Sequence, residues 1–378
     1  MTVRPMKLAF ALFHYFPYGG LERDMLTMAQ ECQRRGHDVT IYTGDWQGPR
    51  PGDMHIEVLP SRGWSNAAKN GSFVRQLTRR LQREPGTVVV GFNRMPGLNV
   101  YYAADVCFAI KAWHERGPFY RMTPRARQYL AHEKAVFDPA AKTHVLMISR
   151  DEAKRYQDFY HTPDERIHLL PPGIRRDRVM PEDYSTRRPA LRKKFAIADD
   201  EFLLLMVGSD FRRKGLDRVL QAVAALAPEK RRAVRLWAIG QDDPAPYVQL
   251  ARKLGIDDQV EIFPGRDDIS EVMWSADALL HPAYTEAAGM VLLEGLVAGL
   301  PVLVTPVCGY AHYIADSGMG AVLPDPFDAG QMARQIEQVL AQPRDAWVAR
   351  SRAFVSENDI FSLSERAANL IESLWGNA

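Results

Sequence analysis

The sequence predicts an α/β protein of two doubly wound, Rossmann-like domains facing across a cleft. Three observations carry that expectation. Short Val/Leu/Ile runs recur along the chain and alternate with amphipathic segments, the pattern of parallel sheets buried on both faces. The rhythm occurs twice, in a chain whose 378 residues suit two domains. Between the two series stands Pro171-Pro172-Gly173, where two prolines deny helix and sheet hydrogen bonds.

In the first domain (1–170), strands are expected at Lys7–Phe13, Val39–Thr43, His55–Leu59, Thr87–Phe92, His144–Ser149 and Ile167–Leu170. Helices Leu21–Arg35 and Ala67–Arg83 lie between them. The second domain (171–358) opens with a polar, basic stretch, Arg175–Lys194. Its strands follow at Phe202–Val207, Val234–Ile239, Val260–Phe263, Ala278–Leu280 and Pro301–Thr305, with helices beginning near Leu216, Tyr247, Ile269 and Gly289. The tail (359–378) reads as a final amphipathic helix, Phe361–Trp375, free to pack back on the first domain. Ligands of open α/β sheets sit outside the carboxyl ends of the strands, so two such domains direct attention to the loops there.

The bulk numbers exclude several classes. A net charge of +2 is far from that of a dedicated nucleic-acid binder. Cys32, Cys107 and Cys308 are odd in number and widely spaced, so neither a disulfide framework nor a zinc site follows, and reduced thiols in a cytoplasmic protein are expected. The apolar run Leu8–Phe13 ends at His14 and reads as a strand, not as a secretory signal. No stretch approaches the length of a membrane span, which points to a soluble or peripheral protein. The absence of G-x-G-x-x-G after a strand disfavours a nicotinamide dehydrogenase, and the absence of G-x-x-x-x-G-K-[ST] disfavours a P-loop NTPase.

The most informative segment runs from His281 to Pro301. A strand ends at His281, a small-residue loop follows, and a helix starts near Gly289. The free backbone N–H groups of Ala288, Gly289, Met290 and Val291 would form an anion site suited to a diphosphate. Glu286 in the loop and Glu294 in the early helix are placed to accept hydrogen bonds from hydroxyl groups. For Glu294 the helix macrodipole alone is an equal explanation. A second cluster, Val207-Gly-Ser-Asp-Phe-Arg-Arg213-Lys214-Gly215, follows a strand and is expected to open a helix. Arg213 and Lys214 there would neutralise a diphosphate, in a position that opposes the dipole. Arg178 is a third candidate cation. In the first domain, Tyr18-Gly19-Gly20-Leu21 joins strand to helix and is either a ligand loop or a plain turn. Asp24, in the helix that follows, and Asp105, in Ala103-Ala-Asp105-Val-Cys, are candidate acids; for Asp105 a capping role is the alternative.

Glu286-x₇-Glu294 together with Arg213-Lys214-Gly215 resembles the retaining glycosyltransferases of family 4, which have the GT-B architecture. Longer runs look like the bacterial lipopolysaccharide core glucosyltransferases: Tyr15-Phe-Pro-Tyr-Gly19-Gly20-Leu, Val90-Gly-Phe-Asn93-Arg-Met-Pro-Gly-Leu, Ala103-Ala-Asp105-Val-Cys, Leu170-Pro-Pro-Gly-Ile and Cys308-Gly-Tyr-Ala-His-Tyr-Ile. The resemblance implies transfer of glucose from UDP-glucose to heptose II of the inner core, with an α-1,3 bond and retention. It implies that Glu286 contacts the donor sugar, Glu294 the ribose, and Arg213 and Lys214 the diphosphate. Gly19 and Gly20 match the glycine loop, and the backbone near Arg266 the part that holds uracil; Arg178, Asp24 and Asp105 are carried over with them. No cofactor is expected beyond the donor, and no metal, since the sequence has no D-x-D triplet. The alternative within this fold is another sugar nucleotide or glycan acceptor.

Residues 108–137 carry Lys111, Arg116, Arg121, Arg125, Arg127 and Lys134 against Glu115 and Glu133, interleaved with Trp113, Phe119, Tyr120 and Tyr129. Basic residues with aromatics suit an anionic membrane surface. That gives the expectation of a peripheral enzyme on the inner face of the cytoplasmic membrane; a pocket for the phosphorylated inner core, or an ordinary basic surface, stands beside it.

Overall fold

The computed structural model describes residues 4–17 and 19–375; Tyr18 of the glycine motif lies outside them. Seven strands form one sheet: β1 (Lys7–Leu12), β2 (Asp38–Thr43), β3 (His55–Val58), β4 (Val88–Gly91), β5 (Val100–Ala103), β6 (His144–Met147) and β7 (Ile167–Leu169), in the order β3-β2-β1-β4-β5-β6-β7. Six form another: β8 (Phe202–Val207), β9 (Val234–Ile239), β10 (Val260–Phe263), β11 (Ala278–His281), β12 (Val302–Val304) and β13 (Gly320–Val322), in the order β10-β9-β8-β11-β12-β13. The strand pairings are parallel: Leu8, for example, stands opposite Val39 on one side and Val88 on the other. Leu8 and Leu203–Met206 are buried, as central strands covered on both faces require.

Both sheets reverse strand order once, between β1 and β4 and between β8 and β11. Such switch points hold the ligand loops of doubly wound folds. One compact unit runs up to Gly173 and takes back the segment from Ser362; the other is Ile174–Phe361. The returning helix, Leu363–Trp375, packs on helix Gly20–Arg34. Arg35 Nη1 donates to Asn369 Oδ1 (2.6 Å) and Glu372 Oε2 (2.9 Å), and His37 Nε2 meets Glu372 Oε1 at 3.0 Å. Helix Gly20–Arg34 buries Met25, Met28, Ala29 and Cys32, one stripe at helical spacing, and ends ahead of Gly36 at φ +91°.

Strands β5 and β13 are absent from the sequence expectation. β5 is Val100–Ala103 and β13 is Gly320–Val322, the latter opening on a glycine at φ +130°. The basic stretch Arg175–Lys194 contains a helix, Tyr184–Lys194, with Pro189 inside it. The β6 strand stops at Met147, and Ser149 instead caps helix Arg150–Tyr160 by accepting from Glu152 N. The three cysteines are buried and unbridged. Among the described residues, no helix is long and apolar enough to cross a membrane.

Candidate active site

Strands β8 and β11 flank the switch point of the second unit, and the chain leaves each at its carboxyl end into a charged loop. After β8 comes a four-residue helix, Phe211–Lys214, which Asp210 caps by accepting from Arg213 N. Gly215 (φ +80°) then breaks the chain direction before helix Leu216–Ala224. Arg213 and Lys214 therefore stand in the last turn of the short helix, where cations suit the dipole. They also stand just ahead of helix Leu216–Ala224, which begins where the sequence places it, so the expected position before a helix N-terminus holds for that helix. Gly208 (φ +136°) gives Lys214 its path: a Cβ there would lie 2.7 Å from Lys214 Cε and 2.8 Å from Cδ.

Across from them, the loop after β11 carries Glu286. Arg218 Nη1 donates to the carbonyls of Pro282 and Ala283, both at 3.1 Å, and Thr305 Oγ1 donates to Ala283 O at 2.7 Å. Arg218 also stacks 3.6 Å from the Tyr284 ring. So held, Glu286 Oε2 accepts from Lys214 Nζ at 2.8 Å and from Arg213 Nη1 at 3.0 Å. Burial alone would raise the Glu286 carboxyl, but Lys214, the His281 ring and Arg213 outweigh it and hold it well below the usual carboxylate range. His281, the last residue of β11, is wholly buried, with Nε2 3.7 Å from Glu286 Oε2. Cys308 pairs with Glu286 in an isolated bridge; burial pushes its thiol up to about 12, so it stays protonated at neutral pH.

The helix after this loop is Met290–Val297, preceded by Gly289 at φ +89°. Ala287 and Ala288 are buried, and Ala288 O accepts from Tyr310 N. Met290 and Val291 open the helix, so their N–H groups have no intrahelical acceptor. Glu294, one turn on, is buried with Arg178 Nε 3.7 Å from its Oε1; Arg178 Nη1 donates to Ser270 Oγ at 2.9 Å. Arg178 thus stands with Glu294, while Arg213 and Lys214 stand with Glu286. The Arg266 side chain is committed to Asp268 through two bonds of 2.8 and 2.7 Å, among the rings of Phe195, Trp237 and Phe263.

In the first unit, Gly19 ends the loop after β1 and Gly20 opens the helix. A Cβ at Gly19 would fall 1.7 Å from Glu22 Oε2, so glycine here makes room for a carboxylate that folds back over it. Glu22 was missed in the sequence. Burial, with smaller contributions from Asp24 and Asp105, raises its carboxyl to about 7. Asp24 is buried and accepts from Tyr102 Oη at 2.7 Å. Asp105 sits in the loop after β5, half-exposed, 3.5 Å from Arg94, and caps no element among the described residues. Asn93 Oδ1, after β4, accepts from Phe13 N at 2.7 Å and ties the two switch-point loops together.

The 108–137 segment is helical in short pieces ending in helix Pro124–Phe137. Phe119 is 82% exposed and Trp113 53%, and Arg121 lies 3.8 Å from the Trp113 ring. Glu133, read from the sequence as a surface acid, is instead fully buried; it accepts from Phe108 N and Ala109 N (2.8 Å each) and pairs with Arg94. The Glu115 side chain lies outside the described residues.

Two family descriptions match the chain: Glycosyltransferase Family 4 over residues 18–178 and Glycosyl transferases group 1 over 187–354. The chain is 44% identical to the lipopolysaccharide glucosyltransferase WaaG of Escherichia coli (strain K12), over 97% of this chain and 98% of that one. A crystal structure of WaaG, described as a glycosyltransferase involved in lipopolysaccharide biosynthesis, superposes with a TM-score of 0.93 at 44% identity, covering 96% of this chain and 99% of that one. Anabaena Alr3699/HepE, crystallised with UDP-glucose, matches at a TM-score of 0.75 and 16% identity over 97% of this chain and 100% of that one, a likeness of fold. With two parallel doubly wound units of the GT-B type and that identity over nearly its whole length, the chain belongs to the WaaG family of glycosyltransferases.

Proposed function

We propose that this glycosyltransferase moves glucose from UDP-glucose to heptose II of the lipopolysaccharide inner core, forming an α-1,3 bond with retention and without a metal ion. One observation carries the reading: Glu286, Arg213 and Lys214 converge at the β8/β11 switch point, in a chain 44% identical to a lipopolysaccharide glucosyltransferase. Arg213 and Lys214 take the diphosphate, one as a planar fork and the other as a point charge, joined by the N–H groups of Ala288, Gly289, Met290 and Val291. Glu286 accepts from the sugar hydroxyls, Glu294 from the ribose with Arg178 beside it, and the backbone near Arg266 holds the base. Gly19, Gly20, Asp24 and Asp105, all in the first unit, are assigned to the substrates by the family resemblance alone.

The acceptor attacks on the face the diphosphate leaves, and the departing phosphate oxygen takes its proton. The protein's part is to stabilise charge growing on UDP, through the two cations and the helix N-terminus. Basic and aromatic residues of 108–137 hold the enzyme to an anionic membrane surface on the cytoplasmic side, where its anchored acceptor is found.

The test is UDP release from UDP-glucose with and without purified core oligosaccharide, beside UDP-galactose and GDP-mannose. Acceptor-dependent release from UDP-glucose is expected. A preference for another donor, or no response to the core, replaces this reading with another GT-B transferase.

A further inference from the structure

His281, the buried titratable residue that ends β11 beside Glu286, has no task in the proposed transfer. Neither of its ring nitrogens has a hydrogen-bond partner among the described residues. A neutral imidazole always carries one N–H, and a buried donor left unpaired is costly. Its neighbour Glu286 Oε2, at 3.7 Å, is beyond hydrogen-bond reach. The reason lies in that oxygen's other partners. A carboxylate oxygen offers about two lone-pair sites, and here Lys214 Nζ and Arg213 Nη1 take both.

A diphosphate arriving at the two cations changes this balance. It competes for Lys214 and Arg213 and frees an oxygen of a carboxylate that is itself largely buried, with 13% of its side chain exposed. A buried carboxylate losing two charged donors needs another. We infer that His281 is a positioning residue for Glu286, donating from Nε2–H to its carboxylate once Arg213 and Lys214 turn to the donor's diphosphate. The exchange aims the other carboxylate oxygen at the sugar without leaving Glu286 unpaired. Burial keeps the imidazole neutral, so the tautomer with hydrogen on Nε2 is the one required. The inference rests on the nucleotide-sugar reading of the site.

Glutamine places an amide nitrogen where Nε2 stands, asparagine where Nδ1 stands, and phenylalanine supplies neither. His281→Phe and His281→Asn are expected to lower kcat by about tenfold or more, the loss of one charge-assisted hydrogen bond, while Kd for UDP stays within about twofold. His281→Gln is expected to recover most of kcat. Wild-type kcat in the Phe variant, equal losses in Asn and Gln, or UDP affinity falling in step with kcat would each overturn the inference. Wild-type protein that binds neither UDP nor UDP-glucose overturns the nucleotide-sugar reading and this inference with it; if it binds both and the Phe variant is unchanged, the inference alone is lost.

Discussion

Lys214 Nζ and Glu286 Oε2 stand 2.8 Å apart, so the site holds its cation against a carboxylate from the neighbouring strand's loop. Both side chains are 13% exposed, which keeps the pair in a medium where charges act strongly on one another. Lys214→Ala is expected to lower kcat by more than about tenfold, because in the proposed transfer it removes a positive charge that stabilises the negative charge growing on UDP. A folded variant with unchanged kcat would take Lys214 out of that role.

The proposed metal independence rests on the same charges. Full transferase activity is expected in excess EDTA. Complete loss under EDTA, restored by manganese, would sink the idea.

Glu22 makes the fold sensitive to pH. Its carboxyl is raised to about 7 in the folded chain by burial, against an unfolded value near that of model peptides. The folded state therefore holds this proton more tightly than the unfolded state. The stability it contributes is complete below the unfolded pKa and is lost as pH rises through about 7. Glu22→Gln, which keeps the shape and cannot ionise, is expected to match wild type in denaturant midpoint near pH 4. It is expected to exceed wild type near pH 8 by up to about 3 kcal/mol. Equal midpoints at pH 8 would contradict the raised carboxyl.

Membrane contact through Trp113, Phe119 and the arginines around them is electrostatic in this reading. Each near-surface charge contributes about 1 kcal/mol. Binding to anionic-lipid vesicles is expected to weaken in high salt and in a variant carrying Arg116→Gln, Arg121→Gln and Arg125→Gln. Binding indifferent to both treatments would refute the electrostatic version.

What the sequence disclosed, and what it hid, divides along a physical line. Glu286, Arg213 and Lys214 were legible because each follows an apolar strand and precedes a helix, so the strand pattern alone brings them to one edge of a sheet. Glu22 was not legible: its environment depends on folding back over Gly19 and on Asp24 and Asp105, the latter placed by β5, a strand absent from the sequence expectation. Glu133 reads as one acid on a basic surface until Arg94, far earlier in the chain, arrives to pair with it. The short helix Phe211–Lys214 was not legible: the left-handed Gly215 sets it apart from the helix expected to begin near Leu216. His281 is a strand terminus in the sequence; only its burial and unpaired nitrogens single it out.

The return of Leu363–Trp375 to helix Gly20–Arg34 bears on how the chain is made. A ribosome delivers β1 to β7 first, then all of Ile174–Phe361, and only afterwards the helix that covers Arg35 and His37. Domains tend to fold in order of emergence, but here the earlier one must wait for the last segment before its surface is closed. A stop codon just after Phe361 would therefore injure the unit synthesised first, with the unit Ile174–Phe361 already complete.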